Sequence, residues 1–459
     1  MADHEPMHEH WSSRLTFLLS AIGFAVGLGN IWRFPYLAGE NGGSAFIIVY
    51  LLVVFGIGAP LVAAELMIGR RGGMSPVPSM RKVAAESGAS ARWGLVGVIA
   101  LVATFLILTF YTLVAGWAAD YLFRALFGAF RGITAEQSSA MFSDLLATPW
   151  RLALWQVVVV AVTIYVSSRG ITRGIERASL ILMPMLFLIL LLLALYGMTT
   201  GSAFTDAARF MLEPDFSKVG PDTVLAAIGQ AFFSVGVAMG GMMTYGAYMP
   251  KTINVMRSSL IIVSADTTVA LVAGFAIFPI VFASGLSPAE GTGLVFVTLP
   301  IAFGSMPFGT VVAILFFVLL VAAALTSTIA NLEPLVSWAE EQKGTSRKAA
   351  TVVAALLILI AGSGSVLSFN LLADFHPLGF LELFQDMTIY DVTDYIASNV
   401  LLPVGGMLTA LFAGWFVTRD AAREELGIRS GSAFQLWRFL IRFIAPVAIG
   451  MMLVAAILR

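Results

Sequence analysis

Hydrophobic residues along this 459-residue chain fall into long runs separated by short polar clusters. Crossing a hydrocarbon core in a helix takes about 20 consecutive apolar residues. By that measure the runs at 13–37, 43–69, 93–124, 151–168 and 174–197 predict five membrane spans. Six more follow at 222–249, 258–284, 308–338, 348–368, 391–417 and 434–458, giving eleven transmembrane helices and an all-α integral membrane fold. Two runs are irregular. The first reads "SAIGFAVGLGN" and the sixth "QAFFSVGVAMGG", each interrupted by closely spaced glycines.

Those interruptions matter because Gly weakens a helix by about 1 kcal/mol relative to Ala. Several together favour local unwinding, which a bilayer tolerates only where the freed backbone lines a cavity or is buried in protein. The two breaks stand five spans apart, an odd number, so the two halves enter the membrane from opposite sides. Paired broken segments in corresponding positions point to the binding site of a secondary transporter. Gly23 and Gly27 alone would be read as a close-packing pair. Asn30, Arg33 and the matching break in span 6 tip the balance toward a site. "GFAVGLG" also has the spacing of a dinucleotide loop, but lacks the strand–turn–helix setting such a loop requires.

The connecting charges orient the chain. Arg70, Arg71, Arg81 and Lys82 follow span 2, and Arg169 and Arg173 follow span 4. Lys251 and Arg257 follow span 6; Lys343, Arg347 and Lys348 follow span 8; Arg419, Arg423 and Arg429 follow span 10. The loop 369–390 has no Lys or Arg but carries Asp374, Glu382 and Asp386. The positive-inside rule then predicts a multi-pass protein of the cell (inner) membrane with a cytoplasmic N-terminus.

Composition narrows the chemistry. The chain is 59% hydrophobic and 12% charged, against roughly 45–50% and 25% in soluble domains. Its mean hydropathy is +0.92. The net charge of −1 says nothing about nucleic acid and no basic run argues for it, so no nucleic-acid partner is expected. There is no Cys, and His4, His8, His10 and His376 all lie outside the apolar runs. Thiolate chemistry, disulfides, a buried histidine relay and an intramembrane metalloenzyme are thereby excluded, and no organic cofactor is expected. "MADHEPMHEH" is acidic and polar, unlike a signal-peptide n-region.

"GFAVGLGNIWRFPY…NGG" closely resembles the first helix of the neurotransmitter:sodium symporters, and "RGITRGIERA", "PDFSKV" and "LTSTIA" match the same family. The resemblance implies two inverted five-helix repeats, residues 11–198 and 199–418, after a cytoplasmic segment 1–10 and before a linker and eleventh span at 419–459. It implies inward transport of amino acids or their derivatives on a sodium gradient, through a lipid bilayer and with two Na+ sites. The oligomeric state stays open, a homodimer included.

Residue by residue, the resemblance implies a first sodium site at the carbonyl of Ala25 with Asn30, Ser234 and Asp266. The second uses carbonyls of Gly23, Val26 and Ala323 with the hydroxyls of Thr326 and Ser327. Carbonyl, amide, hydroxyl and carboxylate oxygens are the donors a hard cation prefers. Taken alone, Thr326 and Ser327 read as hydroxyls bonded back into their own helix. A substrate carboxylate is implied at the backbone of Leu28 and Gly29 and the hydroxyl of Tyr111, joined to the first sodium, with Ala25, Ser234 and Ser327 also implied to line the substrate site. Gly27 stands where amine-carrying relatives place an aspartate, so the substrate should bring its own carboxylate.

Ile107, Phe233, Gly236, Met239 and Asn331 correspond to the side-chain pocket, a combination similar to bacterial carriers of hydrophobic and aromatic L-amino acids. Asn331 could meet a polar tip of the substrate or bond within its helix. Arg33 and Asp394 match the outer gate. The inner gate is irregular, with His8 and Glu341 in place of the usual ion pair and Trp11 and Tyr248 beside them; Glu333 replaces a more usual glutamine. Asp266 replaces the asparagine of chloride-dependent members, and one turn later stands Ala270, so transport is expected to be chloride-independent. Another sodium-carried amino acid derivative is an alternative. A proton-coupled carrier of the same architecture would place a cation at the second sodium site, and Thr326 and Ser327 argue against it.

Overall fold

The computed structural model describes residues 9–288 and 293–458, and the described residues contain helices and connecting turns but no strand. Helix α1 (Arg14–Ala25) starts at Ser13, whose side chain accepts from the Thr16 amide while Thr16 reaches back to the Ser13 amide. It stops at Val26, which is extended (φ −73°, ψ 106°). Helix α2 (Gly29–Glu40) resumes at an angle of 51°. The chain then builds α3 (Ser44–Gly72), α4 (Ala91–Leu126), α5 (Pro149–Ser167) and α6 (Ile171–Met198). Two half-helices follow, α7 (Pro221–Val235) and α8 (Gly241–Ala247). Five long helices complete it: α9 (Val255–Ala283), α10 (Gly309–Lys343), α11 (Arg347–Leu367), α12 (Ile389–Phe416) and α13 (Gly431–Ala455). Shorter helices, among them Pro76–Glu86, Ala135–Leu146 and Ser202–Leu212, lie in the connections.

Nine of the described helices are long and apolar enough to cross a membrane, and ten if α1 and α2 form one span. The sequence predicts eleven. The difference is the sixth run, 222–249, which is divided between α7 and α8 and never forms a continuous helix of spanning length. Gly236 (φ +65°), Ala238 (φ +65°) and Gly240 (φ +75°) take left-handed conformations between them. Glycine adopts that conformation freely, whereas for Ala238 it costs roughly 1–2 kcal/mol.

The broken helices sit at the centre. Helix α1 packs against α6, α9 and α10, and α10 runs along α4, while α8 lies against α3. Close approach of α3 and α8 depends on Gly246, where an added Cβ would stand 2.5 Å from the Leu66 carbonyl oxygen. With lipid on the outside, tight packing of this kind holds helices together where hydrophobicity cannot. Burial follows the same order: 72% of the apolar window of α4 is buried in the protein, against 28% of that of α13.

Candidate functional site

Unwinding α1 and α7–α8 frees backbone groups that must find partners inside the protein. The Gly27 amide donates to Asn30 Oδ1 (3.0 Å). The Leu28 amide donates to the Tyr111 hydroxyl oxygen (3.1 Å). The Gly29 carbonyl accepts from Gln230 Nε2 (2.8 Å). In the second break, the Ala238 amide donates to Glu65 Oε1 (2.6 Å). This last bond ties the strained Ala238 to α3.

Around the first break a polar centre forms. Asn30 Nδ2 donates to Ser234 Oγ (3.0 Å) and to Asp266 Oδ1 (2.7 Å), and Ser234 Oγ donates to Asp266 Oδ2 (2.7 Å). All three residues are buried. An amide from α2, a hydroxyl from α7 and a carboxylate from α9 thus converge beside the α1 break.

On the other side of α1, Ser327 of α10 donates toward the carbonyls of Phe24 and Val26 at 3.4 Å each. Thr326 donates to Ala323 O (2.9 Å) in its own helix, the plain role its sequence suggested. Gly23 faces it, since an added Cβ there would lie 3.4 Å from Thr326 Cβ. Gly27 is a tighter cradle: its Cβ would stand 2.5 Å from Ser327 Oγ and 2.7 Å from the Tyr111 hydroxyl. Ala25 and Ala323 are both buried.

Ile107, Met239 and Asn331 are buried, and Phe233 is half-buried. Asn331 is held at both ends of its side chain. Its Nδ2 donates to Ser327 O (2.9 Å) and its Oδ1 accepts from Thr104 Oγ1 (3.0 Å), so both ends of the amide are engaged within the protein. A Cβ at Gly236 would strike the Phe24 ring at 2.5 Å, so glycine here serves contact with α1 as well as the break.

The two ends of the site differ. Above it, Arg33 and Asp394 line a cavity of about 180 Å³ together with Leu28, Tyr111, Phe233 and Tyr390. The Arg33 guanidinium lies 4.6 Å from the centre of the Phe233 ring. Asp394 accepts from Ser398 Oγ (2.8 Å), and no ion pair joins it to Arg33 among the described residues. Below, the protein is sealed. Trp11 Nε1 donates to the Tyr245 carbonyl (3.0 Å), and its ring meets those of Tyr245 and Tyr248. Glu341 accepts from the Ser75 amide (2.7 Å) and from the Ser75 hydroxyl. His8, the expected partner of Glu341, lies outside the described residues.

Sequence reasoning missed much of this seal. Glu176 accepts from the Ser12 amide, the Ser12 hydroxyl and Thr16 Oγ1 at 2.7–2.9 Å. Glu333, noted in the sequence only as a departure, accepts from the Tyr248 hydroxyl (2.8 Å) and pairs with Arg347. Glu9 Oε2 accepts from the amides of Ile171 and Thr172 and from the Thr172 hydroxyl. Partial burial would raise the Glu9 pKa; the bonds from Thr172 and Ile171, helped by the Arg347 charge, outweigh it and hold it below the ordinary value. Glu65 had a signal of its own, since a carboxylate inside an apolar run is costly and usually functional.

A helical membrane protein with two mid-span breaks around a buried cluster of oxygen donors, closed at one end and hollow at the other, has the build of a secondary transporter. A model of the Sodium:neurotransmitter symporter family matches residues 8–138 and 137–459. The chain belongs to that family, whose members are transporters rather than enzymes. It is 37% identical over 452 residues to an uncharacterized sodium-dependent transporter, YhdH, of Bacillus subtilis, covering 98% of this chain and 97% of that protein. The sodium-dependent dopamine transporter of Bos taurus is 24% identical over 495 residues, covering 95% of this chain and 67% of that one. Among solved structures, that of MhsT in complex with L-phenylalanine superposes with a TM-score of 0.89 at 41% identity, covering 98% of this chain and 100% of MhsT.

Proposed function

We propose that this chain takes up hydrophobic and aromatic L-amino acids by sodium symport, with an alternating-access cycle and without chloride. The observation that carries the proposal is the convergence of Asn30, Ser234 and Asp266 on the α1 break, next to the Leu28 amide and the Tyr111 hydroxyl. A sodium ion there would be held by Asp266, Ser234, Asn30 and the Ala25 carbonyl, taking the place of the hydrogen-bond donors that now face the carboxylate. Tyr111 and the backbone at Leu28 and Gly29 would receive the substrate carboxylate, which an exposed amide at a helix end favours.

A second sodium would lie between the α1 carbonyls of Gly23 and Val26 and the Ala323 carbonyl, Thr326 and Ser327 on α10. Carboxylate and first sodium each complete the other's site, so their affinities rise together by linkage. Asp266 supplies a fixed negative charge, which removes the need for an anion. Ile107, Phe233 and Met239 offer an apolar, adaptable pocket, and the likeness to a protein solved with L-phenylalanine supports an aromatic substrate. In the cycle, Arg33 and Asp394 would close the outer end while Trp11, Tyr248 and Glu341 release the inner, cytoplasmic one.

Binding of radiolabelled L-phenylalanine to purified protein tests this reading. Binding is expected with sodium and absent with potassium, unchanged when gluconate replaces chloride, and lost in Asn30→Ala. Sodium-independent binding, or full binding by Asn30→Ala, would contradict it.

A further inference from the structure

Away from the central site, three cations gather at the basic end of the last two spans. Arg419 opens the short helix Arg419–Leu426, and Arg438 and Arg442 lie on successive turns of one face of α13. Together with Phe434, Phe439 and Phe443 they line a cleft of about 430 Å³. The guanidiniums of Arg419 and Arg438 stand 6.0 and 5.9 Å from the centre of the Phe434 ring. That of Arg442 lies 4.7 Å from the Trp415 ring, and its Nε donates to the Gly414 carbonyl (2.5 Å).

No carboxylate pairs with any of the three among the described residues. Glu425, on the same short helix, is held by Arg70 and Arg71 instead. Arg438 Nη1 is buried without a hydrogen-bond partner among the described residues. A buried donor on a cation normally costs too much to leave unpaired. Like charges crowded around one cleft also repel, and both costs fall together when an anion enters.

We propose that this cleft binds the phosphate headgroup of an anionic phospholipid. Guanidiniums suit phosphate because their planar donors pair with two oxygens at once. The shared chemistry is a phosphate anion, and the surroundings favour one attached to acyl chains. Trp415, Phe439 and Phe443 are all exposed at the cleft, on helices that cross the membrane, where lipid tails would lie over them. Basic pockets between spans at the membrane interface are suited to lipid headgroups. The site involves none of the groups assigned to sodium or amino acid, so its failure would leave the transport proposal standing.

Native mass spectrometry of the purified full chain, titrated with dioleoylphosphatidylglycerol or dioleoylphosphatidylcholine, tests it. One phosphatidylglycerol is expected to bind in preference to phosphatidylcholine. The pair Arg419→Gln and Arg438→Gln should weaken it about thirtyfold, and Arg438→Gln alone about fivefold. Arg419→Lys with Arg438→Lys should keep most of the affinity, which separates charge from misfolding. Equal binding of the two lipids, unchanged binding by the glutamine pair, or displacement of the lipid by millimolar inorganic phosphate would overturn the proposal.

Discussion

Asp266→Asn removes one charge while conserving shape. In the structure Asp266 is buried, with one carboxylate oxygen accepting from Asn30 and the other from Ser234. Of the three side chains that converge here, Asp266 alone carries a carboxylate, so it supplies the protein's own charge to a cation at this centre. Removing one member of a buried charge pair costs about 3–5 kcal/mol. At about 1.4 kcal/mol per factor of ten, sodium affinity should fall by roughly two to three and a half orders of magnitude. The assay is sodium activation of L-phenylalanine binding, titrated in chloride and in gluconate. Wild type should give the same curve in both salts. The variant should need far more sodium in gluconate. A variant that matches wild type in gluconate, or a wild type that fails without chloride, would refute the reasoning.

Gly27→Ala should cut both substrate binding and sodium activation by about five- to a hundred-and-fifty-fold, because overpacking a tight site costs roughly 1–3 kcal/mol and the new methyl meets Ser327 and Tyr111; equilibrium binding checks it. Glu333→Gln should loosen the sealed end, since it removes the charge that Arg347 pairs with most closely and leaves Glu340 as its ion-pair partner among the described residues. Ser337 is buried on α10 one turn beyond Glu333; the chain has no Cys, so Ser337→Cys gives a reporter without background, and maleimide labelling should rise when Glu333→Gln is added. The Glu9 pKa is depressed on folding, so its contribution to anchoring the N-terminal segment is present above the ordinary carboxylate pKa and lost as pH falls through the folded value. Hydrogen exchange at the Ile171 and Thr172 amides should therefore gain protection from neutral pH but lose it, beyond the intrinsic pH effect, under strongly acidic conditions.

The parts of the fold carried by local pattern were legible. Apolar runs place the long helices, and the glycines near 27–29 and 236–240 mark where α1 and α7 stop. Asn30 was visible because a bare amide has no place in an anchoring helix. Asp266 was less so: periodicity marks it only as a charge inside a span, and the role proposed for it comes from the resemblance. The contacts that seal one end could not be read in the same way. Glu176 reaches Ser12 across 164 positions, and Glu65 reaches Ala238 across 173. Packing creates such pairs, and no spacing in the chain announces them. Helix length and apolarity do not by themselves confirm eleven spans for a related reason, since hydrophobicity cannot tell a continuous helix from two halves joined by left-handed residues.

The most direct measurement is uptake of radiolabelled L-phenylalanine into proteoliposomes under an inward sodium gradient, competed with a panel of amino acids. Accumulation that collapses when the gradient is dissipated, and competition led by hydrophobic and aromatic L-amino acids, is the predicted result. Uptake indifferent to the sodium gradient would contradict the central claim.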